Sequence, residues 1–407
     1  MPDAKTQLLR RRARVRLAAT GLWLVALLAL AGPASAEPYF AVREGLRCSA
    51  CHVNMTGGGG RTELVAVHAN ELLHIPKMFA PLSRPAEYFN GDVMKYLRLG
   101  SDFRTSYTAQ FQDEPNAAGR VKNNQVYRGR LEQNDFDTTG NLYVDARLIP
   151  DYVTAYTDVD VINGTAREAF GMLQGVLPWD GFVKAGKIFI PYGLQLWDDS
   201  ALIREDTFTF NNRESGVEVG FEPGPLTWIL AITNGPSGDR DVRVTSTTYT
   251  MFTDVPVVRN VMVGSSFSRV GSSSGDRVVY GFFGGTNLER LTVLAEIDFR
   301  DDALDLQNNS TNPPTKQHTH KGQFIGYAEA DYLFFDWCNF KITFDYSDND
   351  RVGSNLTKDS RNRVTFGIEP FFSRFLQLRL FYSIANGVES VPNHNQNELY
   401  AEAHMFF

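Results

Sequence analysis

Tyr96-Leu97-Arg98-Leu99-Gly100-Ser101-Asp102-Phe103-Arg104-Thr105-Ser106-Tyr107-Thr108-Ala109-Gln110-Phe111 decides the fold class. In an extended chain successive side chains point to opposite sides. Leu97, Leu99, Phe103, Tyr107, Ala109 and Phe111 then share one face, and Arg98, Asp102, Arg104, Ser106 and Gln110 the other. The same period sets Leu142, Val144, Ala146 and Leu148 against Asn141, Tyr143, Asp145 and Arg147, and Leu376, Leu378, Leu380 and Tyr382 against Gln377, Arg379 and Ser383. A charged face is a wet face. With an apolar face opposite it over many strands, the pattern inverts a soluble sandwich and fits a lipid-facing barrel with a polar lumen.

Sixteen such segments follow one another, at roughly 96–111, 124–137, 141–156, 168–178, 181–190, 215–223, 225–235, 241–253, 257–270, 276–288, 291–302, 322–335, 338–350, 360–373, 376–388 and 397–407. The linkers alternate between tight ones, such as Pro178–Gly181, Glu222–Pro225, Phe335–Trp337 and Ser373–Phe375, and long ones. The long linkers are Gln112–Asn123, Thr157–Arg167, Pro191–Glu214, Asp301–Lys321, Asp350–Ser360 and Gly387–Gln396. Short periplasmic turns and long outer loops are the asymmetry of outer-membrane barrels, and an even strand count places both barrel ends in the periplasm. Leu399, Ala401, Ala403, Met405 and Phe407 close the chain as an alternating apolar face ending in Phe, which resembles the terminal strand of outer-membrane proteins. The expected fold is therefore an all-β, transmembrane antiparallel β-barrel of about 16 strands over residues 96–407, preceded by a small segment of short helices.

Composition agrees. Among 407 residues, 43% are hydrophobic and 21% charged, and mean hydropathy is −0.26. Only one run, near the N-terminus, approaches the ~20 apolar residues a spanning helix needs, which excludes a polytopic helical membrane protein. Thirty-four glycines and 12% aromatics suit a turn-rich β chain.

Residues 1–36 read as a secretory signal peptide: Arg10, Arg11, Arg12, Arg14 and Arg16, then apolar Leu22–Leu30, then Ala34-Ser35-Ala36 before Glu37. Without its six basic residues and Asp3, 40 − 6 = 34 basic residues face 47 − 1 = 46 acidic ones, a balance of −12. Such a chain is a poor ligand for nucleic acid.

Residues 37–95 carry the chemistry. Cys48-Ser49-Ala50-Cys51-His52 is C-x-x-C-H, the attachment pattern of a c-type haem. Two thiols one helical turn apart match the porphyrin vinyl groups, and the adjacent His is delivered to iron as an axial ligand. One covalent haem c is the expected cofactor. A zinc site would need two further ligands at close spacing, and Cys338 is isolated.

The second axial ligand is expected from His68. A helix capped by Thr62 and running through Glu63–Leu73 places His68 on an apolar stripe with Leu64, Val65, Leu72 and Ile75. His74 and Met78 are alternatives; Met55 lies too close to His52. Gly57-Gly58-Gly59-Gly60 permits close approach to a large flat ligand, and Arg61 stands where a guanidinium can pair with a haem propionate or simply be solvated.

On Tyr39-Phe40-Ala41, Gly45, Cys48, Cys51, His52 and Gly60-Arg61, together with the signal and barrel pattern, the chain resembles the fused cytochrome–porins of bacterial outer membranes, the type associated with iron oxidation. It departs from that pattern after the haem His, where Met55-Thr56 and the glycine run replace a Pro and a Leu-Asn. The resemblance implies Cys48 and Cys51 as haem attachment points, His52 as proximal ligand, and an outer-membrane iron oxidase as a possible activity.

The expected function is electron transfer across the outer membrane by a barrel-associated haem. Its expected partners are a periplasmic carrier such as a soluble c-type cytochrome, an extracellular donor or acceptor such as iron, and outer-membrane lipid. Arg98, Arg104, Arg128, Arg130 and Arg147 are expected to face the lumen, there to meet propionates or line a pore. The alternative is a diffusion porin with a haem-bearing plug or sensor, in which Pro191–Glu214, with Tyr192, Trp197, Asp198, Asp199, Glu205 and Asp206, folds inward as a constriction. His318-Thr319-His320 near Asp301, Asp302 and Asp305 reads as a solvated loop before it reads as a metal site, and Cys338 as an inert thiol at a tight turn.

Overall fold

The structure is a computed structural model that describes residues 37–56, 58–65, 73, 75–83, 91–112, 130–196, 198, 200–205, 213–236, 241–272, 275–308, 315–350, 359–387 and 395–406. Two short helices open it, α1 (Pro38–Glu44) and α2 (Cys48–Cys51). A 3₁₀ turn (Lys77–Phe79) and α3 (Ala80–Ser83) follow, then a short strand β1 (Asp92–Met94) paired with the start of the barrel.

The barrel strands are β2 (Leu97–Gln112), β3 (Arg130–Ile149), β4 (Val153–Asp160), β5 (Thr165–Leu177), β6 (Gly181–Phe189), β7 (Arg213–Phe221), β8 (Leu226–Thr233) and β9 (Val242–Thr253). They continue as β10 (Asn260–Ser272), β11 (Gly275–Leu288), β12 (Leu291–Asn308), β13 (Thr315–Phe335), β14 (Cys338–Asp348), β15 (Ser360–Ser373), β16 (Leu376–Asn386) and β17 (Gln396–Phe406). Each pairs antiparallel with its sequence neighbour, and β17 returns to β2 from Gln396↔Gln112 to Phe406↔Asp102. The sheet is closed. Closure removes every unpaired edge, which a strand exposed to hydrocarbon could not tolerate.

Alternation sorts the side chains as expected. On β14, Phe340, Ile342 and Phe344 face outward and are exposed, while Lys341, Thr343 and Asp345 face inward and are buried. On β16, Leu378 and Leu380 face out, and Gln377 and Arg379 in. Trp179, Phe334 and Phe335 lie exposed at the rim of the tight turns, with Phe335 stacked on Trp337 at 5.7 Å. Aromatic girdles at this level are a feature of membrane barrels. With sixteen barrel strands, the start of β2 and the end of β17 emerge at the same rim.

The strand count of sixteen holds, but three connections differ from expectation. The second and third segments, expected at 124–137 and 141–156, are β3 and β4, and the turn between them is Pro150–Tyr152 rather than 138–140. Thr138, Thr139 and Gly140 pair within the ladder against Thr105, Arg104 and Phe103. The chain reverses where Pro150 offers no N–H and Asp151 takes a left-handed conformation (φ 68). The long linker expected at Thr157–Arg167 is a four-residue turn, Val161–Gly164, in which Asp160 Oδ1 accepts the N–H groups of Ile162 and Asn163. The linker expected at Asp301–Lys321 is mostly strand: β12 runs to Asn308 and β13 starts at Thr315. His318 and His320 thus lie in a ladder, opposite Asp305 and Ala303, and not in a loop.

The lumen is partly occupied by the chain itself. Tyr39 and Val42 of α1 pack with Leu194, Leu196, Leu202 and Ile203 of the connection between β6 and β7, and with wall residues such as Met262 and Phe283. That connection folds inward, as the porin alternative has it. Its helical turn α4 (Leu202–Glu205) is tied across the lumen to β14 by the bond from Leu202 N–H to Asp345, and Asp198 pairs with Arg363 of β15 at 2.7 Å. Trp197, Asp199 and Asp206 lie outside the described residues.

Candidate functional site: the C-x-x-C-H segment in the barrel lumen

The first described residues cross the lumen from wall to wall. Glu37 is paired with Arg379 of β16. Ten residues on, Arg47 meets Glu222 at 3.2 Å and the Ser49 hydroxyl donates to the same carboxylate at 3.0 Å. Glu222 belongs to the turn between β7 and β8, about half the circumference away from β16. Between these anchors α1 ends at Gly45, whose φ of 67 and close approach to Asn260 leave no room for a side chain. Asn260 donates to the carbonyls of Val42 and Arg43, both at 2.9 Å, so the wall satisfies carbonyls that the helix end leaves open.

Cys48 and Cys51 occupy the single turn of α2, both as free thiols. Burial pushes the Cys48 thiol up to about 11 and raises that of Cys51. His52 follows in an extended conformation, and its Nδ1 faces the Gly59 carbonyl at 3.4 Å. Such a contact holds the proton on Nδ1 and presents Nε2, the arrangement in which a histidine serves as a metal ligand. Burial, with Arg61 adding to it, lowers the imidazole to about 4, so the ring is neutral near pH 7.

The loop after His52 is locked. Val53 N–H donates to the Gly60 carbonyl at 2.8 Å, and Thr62 N–H to the Cys51 carbonyl at 3.0 Å. Asn54 donates to Glu168 and accepts from Lys184, which is itself 2.9 Å from Glu218. Val53 and Met55 pack against Tyr143, Tyr156 and Phe170, placing Met55 in a wall contact. The glycines make their close approach to this wall. The Tyr156 hydroxyl accepts the Gly60 N–H at 2.9 Å, and a Cβ on Gly59 would collide with it.

Two clefts flank the motif, each with about 780 Å³ of empty space that is partly open to solvent. Cys48, Cys51 and His52 line the first with apolar Phe40, Leu194 and Met262. Cys51 and His52 line the second with Arg61, Phe371, Arg379 and Phe406. Paired thiols, a neutral imidazole with its Nδ1 held, a largely apolar cleft on one side and one carrying Arg61 and Arg379 on the other fit a covalently bound haem with its charged propionates.

The structure brings Cys48, Cys51, His52 and Arg61 together. The Arg61 guanidinium lies over the Phe406 ring at 3.9 Å and its carbonyl accepts from Arg98. Thr62, expected to cap a helix, gives its hydroxyl to the Ala50 carbonyl. Glu63–Val65 are helical; His68 and His74 lie outside the described residues. Met78 is exposed in the 3₁₀ turn, and Phe79 beside it packs on Trp337 and Phe372 at the rim. Arg98 pairs with Asp92, Arg104 with Asp102, and Arg147 with Asp145; Arg128 lies outside the described residues, as does Phe407. Cys338 is half-buried at the start of β14. Sequence reasoning missed the wall partners Glu222, Lys184, Glu168, Asn260, Tyr156 and Arg379. For the strand residues among them the signal was an inward-facing position, without indication of what each would meet; Glu222, in a turn, gave none.

No family model matches the chain, and no curated protein matches it. Solved structures do. The outer-membrane expressed OmpT of Vibrio cholerae has a TM-score of 0.53 at 10% identity, over 77% of this chain and 99% of its own. An anion-selective porin from Comamonas acidovorans gives 0.53 at 10%, over 76% and 99%. The outer membrane channel DcaP of Acinetobacter baumannii gives 0.52 at 11%, over 78% and 99%. The fold is that of a sixteen-stranded porin-type barrel.

Proposed function

We propose that the chain is a porin-type channel of the bacterial outer membrane whose lumen is closed by its own N-terminal segment, and that this segment carries one covalent haem c. The likeness to porins supports a channel more than an electron conduit, so the reading of a porin with a haem-bearing plug leads. The observation that carries it is the wall-to-wall seating of residues 37–62, from Glu37 on β16 to Arg47 and Ser49 on Glu222. Cys48 and Cys51 would hold the haem and His52 would present Nε2 to its iron. His68 is the proposed second axial ligand, with His74 and Met78 as alternatives, and Arg61 the proposed propionate partner. The tight-turn rim, where both barrel ends emerge, is the proposed periplasmic side.

A second reading, electron transfer across the membrane, is favoured by one further feature: Cys48, Cys51 and His52 share a cleft with the wall residues Thr247, Tyr249 and Phe283, at the end of the barrel that holds the tight turns. Haem c would supply a one-electron couple there, shortening the ~25 Å apolar band to be crossed. A soluble periplasmic cytochrome and an extracellular partner, iron by resemblance, would be its proposed partners.

The test uses the purified full-length chain in liposomes. A pyridine-haemochrome spectrum showing one haem per chain, with slow flux of small solutes, supports the plugged porin. Absence of haem defeats the cofactor assignment, and free flux defeats the plug. Reduction of an enclosed acceptor by an impermeant outside donor, at a rate unaffected by solute flux, would move the account to the electron conduit.

A further inference from the structure

The segment that leaves the plug changes sides of the wall. Val65 and Leu73 line the second cleft inside the barrel, beside Phe371 of β15. Phe371 is buried there, with its ring against Phe40 of α1. Six residues after Leu73, Phe79 of the 3₁₀ turn packs edge-on against Phe372 at 5.2 Å and against Trp337 at 5.4 Å. Phe372 belongs to the other face of β15, because alternation runs from exposed Phe366 and Ile368 through Pro370 to Phe372. Leu73 and Phe79 therefore lie on opposite sides of one strand, at the rim that holds the tight turns.

Outside, Phe79 joins rings that already face lipid. Trp337 stacks on Phe335 at 5.7 Å, and Phe335 meets Phe334 at 4.7 Å; both phenylalanines are exposed. Beside Phe79, Met78 is 74% exposed and Leu82 48%, and Lys77 is exposed as well. Apolar side chains left uncovered next to one another mark an interaction surface. Here the surface continues the lipid-facing belt of β15, so its position names the bilayer as the occupant. A short apolar segment with a lysine at its edge suits the headgroup boundary, where the lysine stem lies along apolar surface while the ammonium reaches phosphate.

We propose that Lys77–Ser83 is a membrane-interface tether, in which Met78 and Leu82 enter the headgroup boundary of the periplasmic leaflet beside Phe335 and Trp337, and Lys77 meets phospholipid phosphate. The tether holds the plug to the bilayer as well as to the wall. Residues 37–62 are seated inside the barrel, Phe79 is held outside it, and the rim of β15 stands between them. Withdrawing the plug toward the periplasm then also means drawing two apolar side chains out of lipid. The inference rests on the membrane-barrel reading and on the periplasmic placement of this rim, and uses nothing of the haem.

The test places a benzophenone amino acid at position 78 of the full-length chain, in nanodiscs of phosphatidylethanolamine and phosphatidylglycerol, and reads adducts by mass spectrometry after irradiation. Phe344, on the outer face of β14, is the lipid-facing reference, and Val257, 99% exposed in the turn between β9 and β10, the solvent reference. Phospholipid adducts at position 78 should approach the level at Phe344 and exceed that at Val257 several-fold. Adducts at Phe344 with no more at position 78 than at Val257 would show an inserted barrel with a water-facing segment, and would overturn the proposal while leaving the barrel standing. In native outer membranes, an adduct to another polypeptide in place of lipid would give the surface to a protein partner and overturn it equally. A second arm uses Met78→Gln/Leu82→Gln, two side chains so exposed that the change is neutral if they face water. Trypsin cleavage after Lys77 in the nanodiscs should be several-fold faster in this variant than in the wild type. Equal rates would contradict the tether.

Discussion

Lys184 of β6 and Asn54, two residues beyond the C-x-x-C-H motif, are joined by a 2.9 Å hydrogen bond that runs from the barrel wall to the segment filling it. The same ammonium donates to Thr56 at 2.9 Å and lies 2.9 Å from Glu218, with both charged side chains fully buried. Removing one partner of a buried pair leaves the other charge uncompensated, at a cost of about 3–5 kcal/mol. Lys184→Met should therefore loosen the plug and destabilise the barrel. Protease cleavage of the plug in liposomes and a lower unfolding temperature on heated gels would show it. Lys184→Met/Glu218→Leu should recover much of the barrel's stability but not the plug's protection, because Asn54 and Thr56 still lose their donor.

The two thiols have a different dependency. Cys48 and Cys51 lie in one helical turn outside the strands, and of the barrel wall the Cys48 thiol meets Tyr249 of β9. Cys48→Ala/Cys51→Ala should abolish covalent haem while the barrel still assembles, since the barrel strands begin at Leu97. A haem-stained band that survived the double substitution would refute the attachment site.

Gly59 controls the ring of His52. Its φ of 71 and its contact with Tyr156 exclude a side chain, and its carbonyl faces Nδ1. Gly59→Ala is expected to cost roughly 1–3 kcal/mol of local stability and to turn the imidazole. Tyr156→Phe leaves the Gly60 N–H without its acceptor, worth about 1–3 kcal/mol if buried. In haem-loaded protein both should broaden or shift the low-spin spectrum without altering strand content by circular dichroism. Spectra identical to wild type for Gly59→Ala would contradict the role given to this carbonyl.

Acid should weaken the anchor at residue 37. Burial alone would raise the Glu37 carboxyl, but Arg379 and Lys341 outweigh it and hold it down at about 2. A carboxyl depressed below its ordinary value of 4.5 contributes stability that is complete above that value and lost as pH falls toward about 2. The share of plug protection that Glu37 supplies should therefore be constant from neutral pH to about 4.5 and decline below it. Glu37→Gln should remove that acid-dependent step and start from weaker protection. Equal acid dependence in the variant would assign the step to other groups.

The barrel was legible in the sequence because the strand period is two and each inward charge stands between outward apolar residues, as Lys341 does between Phe340 and Ile342. The β3–β4 turn was misplaced because Thr138-Thr139-Gly140 has turn-like residues, yet its backbone groups are claimed by β2. The C-x-x-C-H motif was legible from chemistry alone. Its seating was not. Arg47 and Glu222, or Asn54 and Glu168, are separated by more than a hundred residues and meet only because closure carries distant strands around the plug. Periodicity states that a residue faces the lumen and is silent on what fills it.

The most direct test of the account is the single-channel conductance of the full-length chain in planar bilayers, recorded beside the anion-selective porin from Comamonas acidovorans in the same salt. A lumen filled by Tyr39, Val42 and the C-x-x-C-H turn predicts a conductance that is a small fraction of that porin's, rising when Lys184→Met frees the plug. Full porin-like conductance from the wild-type chain, with residues 37–95 intact and haem bound, would contradict it.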